Sequence, residues 1–207
     1  MSDTVLIPGG RDVRATLDTA ASDGSRADAA VVACPPHPQQ RGHRGDERLV
    51  AASDALTDRG VDCLRFDYGD WDEGYGESTD ADAAVSWAVE RYDRVGLFGF
   101  SFGGTVALVA AASRPDLAGV CALAPTARLN PDVDAVAALD GLAELGVPVR
   151  VLYATRDSTA DWEPVVERAG ELGIETEGFE SDHFFVGRAG RVGEAVAAFL
   201  APRLRDA

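Results

Sequence analysis

Apolar positions run consecutively in short stretches of this chain, and between those stretches they recur every three or four residues. The short runs are 4–9 (TVLIPG), a more polar 13–20 (VRATLDTA), 29–34 (AAVVAC), 61–68 (VDCLRFDY), 94–100 (RVGLFGF), 117–125 (LAGVCALAP), 148–154 (PVRVLYA) and 174–180 (IETEGFE). Most are rich in Val, Leu and Phe and apolar at adjacent positions, which predicts strands covered on both faces. The intervening segments read as helices: 46–60, 80–92, 102–113, 131–146, 160–173 and 190–204. In the first of them Leu49, Val50, Ser53 and Leu56 share one face and Gly60 ends the pattern. Strand and helix alternate, which predicts a mostly parallel sheet with helices on both sides. The first two strands have no helix between them, so they are expected to form an antiparallel hairpin at one edge. No internal repeat and no separate lid segment is visible, and the length of 207 residues suits one domain spanning 1–207.

The charge balance narrows the partners. There are 35 acidic against 19 basic residues, a formal net charge of −16, and every basic residue is arginine. Such a surface repels nucleic-acid phosphates and anionic membranes, so neither is an expected partner. Self-repulsion costs stability in dilute buffer. Salt removes that cost, because the Debye length falls to about 3 Å at 1 M. A salt-rich cytoplasm, as in a halophilic archaeon, is the expected setting, and the melting temperature should then rise as KCl is raised to molar levels. Equal stability at low and multimolar salt would contradict this; an acidic protein from a GC-rich genome would also favour arginine. No apolar run approaches the roughly 20 residues of a membrane span, and MSDTVLIPGG lacks the basic start and long apolar run of a signal peptide, so a cytoplasmic location is expected. Cys34, Cys63 and Cys121 stand far apart inside apolar runs, as small buried hydrophobes rather than disulfide or metal partners.

Candidate chemistry enters at Gly99-Phe100-Ser101-Phe102-Gly103-Gly104, between a predicted strand and a predicted helix. A serine on so sharp a turn stands clear of the sheet. Side chains two positions to either side would collide, hence glycine at 99 and 103. The following helix aims its first amide, the Phe102 N–H, at the place where an oxyanion would develop. A turn serving only close helix–strand packing would carry the same glycines; the strand before it and the small-residue helix after it favour a nucleophile. A serine needs a base and a group that orients the base. Of the three histidines, His183 follows the last strand and precedes the last helix, where the base belongs when the order is Ser, acid, His. Asp157 follows the run 148–154 and is the candidate acid. Asp161 is held in reserve as the expected N-cap of the next helix, and Asp182 is expected to point away and stabilise its loop.

With these residues in place the chain resembles the α/β-hydrolase superfamily, in its small lidless form similar to dienelactone hydrolases. The elbow GFSFGG, Asp157, the SDHFFVGR stretch around His183, and PPHPQQRGHRG with its PHP motif after the third strand carry the resemblance. It implies the α/β-hydrolase fold: a mostly parallel central sheet of about eight strands, helices on both faces, an antiparallel N-terminal edge hairpin and no lid. It also implies a second oxyanion donor in the loop after Cys34. Proline has no N–H, which removes Pro35, Pro36 and Pro38, so the amide of Gln39 is the first choice and that of Gln40 the next. Dienelactone hydrolases carry cysteine at the elbow where this chain has Ser101, so a serine esterase is implied instead.

The remaining polar residues have plainer readings. His37 and His43, six apart, match no common metal spacing, and His37 is read as shaping the oxyanion loop. Asp67, Asp70, Asp72, Glu73 and Glu77 crowd the loop after the fourth strand without a regular ligand pattern, as a solvated acidic surface. No metal or other cofactor is expected. Trp71, Tyr75, Phe100 and Phe184, with His37, are the candidate lining of a pocket at the carboxyl edge of the sheet, where ligands bind in this fold class. The expected function is a serine hydrolase working through an acyl-enzyme on a small, uncharged or hydrophobic ester, as a monomer or homodimer. The competing reading is a non-catalytic protein of the same fold that binds a small ligand or a partner.

Overall fold

Strand β3 (Ala29–Cys34) is buried at every position, and its alternate side chains belong to two different cores. Ala30, Val32 and Cys34 pack on one side of the sheet, and Ala29, Val31 and Ala33 on the other. The unbroken apolar run is therefore the signature of a strand sandwiched between helices. The computed structural model describes residues 2–9, 11, 13–20 and 26–205. The other sheet strands are β1 (Ser2–Ile7), β2 (Val13–Asp18), β4 (Asp62–Phe66), β5 (Arg94–Phe100), β6 (Gly119–Leu123), β9 (Val149–Ala154) and β10 (Glu175–Phe179). They lie in the order β1-β2-β4-β3-β5-β6-β9-β10. The six from β4 to β10 are mutually parallel, whereas β1 and β2 pair antiparallel and β2 joins β4 antiparallel, as the missing helix between the first two strands predicts.

Helices α2 (Tyr75–Val89), α3 (Phe102–Ala111), α4 (Ala135–Leu145) and α5 (Glu163–Glu171) cover one face. Helices α1 (Glu47–Thr57) and α6 (Ala189–Arg205) cover the other and pack on each other. Asp46 caps α1, its Oδ1 accepting the Arg48 N–H at 2.9 Å, and Gly146 ends α4 in the left-handed conformation at φ 69°. No helix among the described residues is long and apolar enough to cross a membrane.

Two helix starts differ by four residues or more from the periodicity reading, each for a local polar reason. Helix α2 starts at Tyr75 rather than near 80, because Glu77 turns inward. Its buried carboxylate accepts the N–H of Asp72 at 3.0 Å and of Gly74 at 2.8 Å, satisfying amides ahead of the first turn. Glu77 is thus a helix residue, not part of a solvated acidic loop. Helix α4 starts at Ala135 rather than 131, since the preceding residues form a small hairpin, β7 (Arg128–Asn130) and β8 (Val133–Asp134). The Asn130 side chain accepts the amides of Asp132 and Val133 at 2.9 Å each and closes that turn.

Candidate active site

The order of β3, β5 and β6 in the middle of the sheet decides where the candidate residues meet. Ser101 follows β5 directly, with φ 56° and ψ −121°, a conformation that costs a non-glycine residue about 1–3 kcal/mol. Its own amide is anchored to the Leu123 carbonyl of β6 at 2.8 Å. A Cβ at Gly99 would fall less than 3.0 Å from the Gly103 carbonyl, and one at Gly103 less than 3.0 Å from the carbonyl oxygens of Cys34 and Pro35. Both glycines are therefore demanded by close backbone approach, and the strained turn is enforced from three sides.

Asp157 stands beyond β9 and His183 beyond β10, so two parallel strands deliver them to the same edge as Ser101. The His183 Nε2 lies 2.9 Å from the Ser101 Oγ, and its Nδ1 lies 2.6 Å from the Asp157 Oδ2. The Asp157 side chain is fully buried and that of His183 is 5% exposed. The other carboxylate oxygen, Oδ1, accepts the amides of Thr159 at 2.8 Å and Ala160 at 3.1 Å, which fixes the rotation of the group. A carboxylate only accepts, so the imidazole proton sits on Nδ1 and Nε2 is left to accept from the serine hydroxyl. Trp162, stacked on Tyr153 with centroids 4.8 Å apart, donates its indole N–H to the Asp157 carbonyl at 3.3 Å and braces the acid loop. Asp161 is exposed and faces elsewhere. Its amide meets the Thr126 hydroxyl and its carbonyl accepts from Ala127, while Trp162 rather than Asp161 occupies the N-cap of α5. Asp182 accepts the Phe184 N–H at 3.0 Å and so shapes the histidine loop.

The amide expectations divide. No acceptor among the described residues takes the N–H of Phe102, the first residue of α3. Gln39 does not match its expected role: its N–H donates to the His37 Nδ1 at 3.2 Å, and the Gln40 N–H donates to the His37 carbonyl at 2.9 Å inside a short 3₁₀ turn, Pro38–Gln40. Both amides are consumed in folding the loop. The N–H of His37 itself has no partner among the described residues, and its ring lies 5.0 Å from that of Phe102. Elimination by proline alone passed over it.

A cavity of about 360 Å³ opens beside the elbow, lined by His37, Trp71, Glu73, Phe102, Leu129 and Asn130. The His37 and Trp71 rings stack at 4.6 Å, and burial holds the His37 imidazole below its usual range although the charge of Glu77 pulls the other way. Of the expected lining residues, His37 and Trp71 are there. Phe100 is not, because it is 2% exposed and packs under the His183 ring at 5.3 Å. Tyr75 is exposed on α2 outside this lining, and Phe184 is exposed at the rim, edge-on to His183 at 5.4 Å. Leu129 and Asn130 were missed; the Asn130-Pro131 pair was the available turn signal. Asn130 also donates to the Glu73 carbonyl at 2.7 Å, joining the two sides of the cavity.

Other polar residues are occupied in structure. Asp67 pairs with Arg44, and the exposed His43 accepts the Gly45 N–H at 3.0 Å. Among the described residues no three His, Cys, Asp or Glu side chains gather as a metal cluster. The three cysteines are buried and unbridged, and burial pushes the Cys63 thiol up to about 12, far from a reactive thiolate.

Comparison with known proteins agrees with this architecture. Residues 66–139 match the family model of X-Pro dipeptidyl-peptidases of the S15 family. An uncharacterized protein of Rickettsia prowazekii is 25% identical over 183 residues, covering 80% of this chain and 75% of that protein. An α/β serine hydrolase homologue from Coxiella burnetii superposes with a TM-score of 0.78 at 22% identity, over 95% of this chain and 96% of its own. An α/β serine hydrolase without lid from Xanthomonas campestris gives 0.80 at 21% identity, over 100% and 96%. A dienelactone hydrolase from Anabaena variabilis gives 0.73 at 19% identity, over 99% of each chain. The fold is thus the lidless α/β-hydrolase fold. The halophilic source expected from the charge is not supported by these relatives.

Proposed function

We propose that the protein is a serine hydrolase whose substrates are small, uncharged or hydrophobic esters. The observation that carries this reading is the continuous hydrogen-bonded relay from Ser101 through His183 to a fully buried Asp157, opening beside an aromatic cavity. The S15 match and the serine hydrolase neighbours support hydrolytic chemistry.

In this mechanism the Ser101 Oγ attacks the ester carbonyl as its proton passes to the His183 Nε2. Asp157 stabilises the imidazolium that results, without taking the proton. The tetrahedral oxyanion is held by the N–H of Phe102, at the positive end of α3, and by the N–H of His37 in place of the expected Gln39. His183 then returns its proton to the leaving alcohol. Water, deprotonated by the same nitrogen, cleaves the acyl-enzyme. The rings of His37, Trp71 and Phe102 with Leu129 form an apolar wall for one side of the ester, and Glu73 at that wall disfavours an anionic one. The S15 match brings X-Pro dipeptidyl amides in as the second substrate class, for which the same relay would serve.

The test is active-site labelling. A fluorophosphonate probe is expected to leave one adduct, found by mass spectrometry on the peptide that contains Ser101. Chromogenic esters of rising chain length, run beside X-Pro amides, then rank the substrates. Absence of an adduct, or an adduct on another residue, rejects the proposal.

A further inference from the structure

We infer that Arg48 is a positioning residue for the imidazole of His183; this rests on the hydrolase reading above. Arg48 stands in the first turn of α1, outside the elbow, acid and histidine loops, yet its guanidinium reaches two of them at once. One amino group donates to the Phe184 carbonyl, the residue after His183, at 3.0 Å. The guanidinium carbon lies 4.6 Å from the ring centre of Phe100, the residue before Ser101. That ring in turn lies 5.3 Å from the His183 ring at an angle of 33°. Phe100 is thus packed against both the guanidinium and the imidazole, and Arg48 ties down the backbone that carries the imidazole.

The arrangement is built rather than incidental. The Arg48 side chain is only 12% exposed, and Asp46, the cap of its own helix, fixes it through a 2.5 Å contact, with Glu47 adding one at 2.9 Å. Its Nε is buried with no partner among the described residues, a desolvation cost that a surface ion pair would have no reason to carry. The loop it holds needs holding. Phe185, fully buried against Phe100 and Phe179, has φ 51°, so the histidine loop carries a strained residue that its surroundings must hold in place. Phe185 anchors the loop from within the core, and Arg48 from the rim. Misplacing a proton-transfer group by about 1 Å is enough to cost on the order of 100-fold in rate.

The test uses Arg48→Ala and Arg48→Lys in the full chain. Lysine keeps a cation beside Asp46 but has no flat guanidinium to lie on Phe100 while bonding the carbonyl. Arg48→Ala is expected to slow fluorophosphonate labelling roughly 10- to 100-fold, to lower kcat on the best ester with KM changed less than about twofold, and to recover partly with added guanidinium. Arg48→Lys should recover less than half of the lost rate, and it decides the question if the alanine protein does not fold. Proton NMR of the Nδ1–H shared by His183 and Asp157 reads the ring's placement whether or not the protein hydrolyses anything: the resonance should broaden or vanish in both variants. Failure of the wild type to label would defeat the hydrolase reading, with this resonance still deciding the placement. An unchanged resonance, or labelling within twofold of wild type, would overturn the role given to Arg48.

Discussion

Asp157→Asn is expected to reduce ester hydrolysis by about 10⁴-fold, and His183→Ala by about 10⁶-fold, the scale seen when such relays are broken elsewhere. The reason for the first lies in which oxygen is already spoken for. The Asp157 Oδ1 accepts two backbone amides, from Thr159 and Ala160. An asparagine must keep its carbonyl oxygen in that seat and so turns its NH₂ toward the His183 Nδ1, 2.6 Å away in the native pair. The imidazole would then accept at Nδ1 and carry its proton on Nε2, the nitrogen that has to receive the serine proton. Geometry survives and the tautomer is wrong. His183→Ala removes the base outright and leaves a buried carboxylate with only those two amides, so its melting temperature is expected to fall as well. Steady-state rates on a chromogenic ester, with thermal melts of each variant, check both. An asparagine variant within tenfold of wild type would mean that His183 draws its orientation from elsewhere.

The order of elements was legible because burial on both faces writes itself into the chain as consecutive apolar residues. AAVVAC and RVGLFGF are such runs; seven of the eight sheet strands fall within the runs read, and β1 overlaps its run but begins two residues earlier, at Ser2. The candidate relay was legible for a related reason: in a parallel sheet, residues just past the strands share one edge, so Ser101, Asp157 and His183 had only one place to meet. What escaped was decided by single polar contacts with no periodicity. Glu77 lengthened α2 by turning inward, and Asn130 folded a hairpin where a helix was expected. Gln39 lost its expected role because the His37 side chain took its amide, a contact between residues two apart that no pattern announces. Phe100 was placed in the pocket because it neighbours Ser101, but strand alternation sends adjacent side chains to opposite sides.

Gly103→Ala is expected to destabilise the protein by roughly 3 kcal/mol or more, lowering the melting temperature by about 6–12 °C for a chain of this size. Helix propensity argues the other way, since alanine inside a helix is worth about 1 kcal/mol over glycine. Sterics decide the sign. The new Cβ would stand less than 3.0 Å from two carbonyl oxygens, those of Cys34 and Pro35, and backbone atoms have no rotamer by which to withdraw. Cys34 is pinned in register against Gly99 of β5, so relief must come from a shift of α3 or of the loop beginning at Pro35. Either movement separates the Phe102 amide from that of His37, so activity should fall further than the loss of stability accounts for, even well below the melting temperature. Gly170 supplies the control. It lies in α5 with open space around its missing Cβ, and Gly170→Ala is expected to raise stability by about 0.5–1 kcal/mol through propensity alone. Thermal melts of the two variants should therefore move in opposite directions. If Gly103→Ala melts at or above the wild type, the tight crossing of α3 over the end of β3 is not what holds Ser101 in its strained turn.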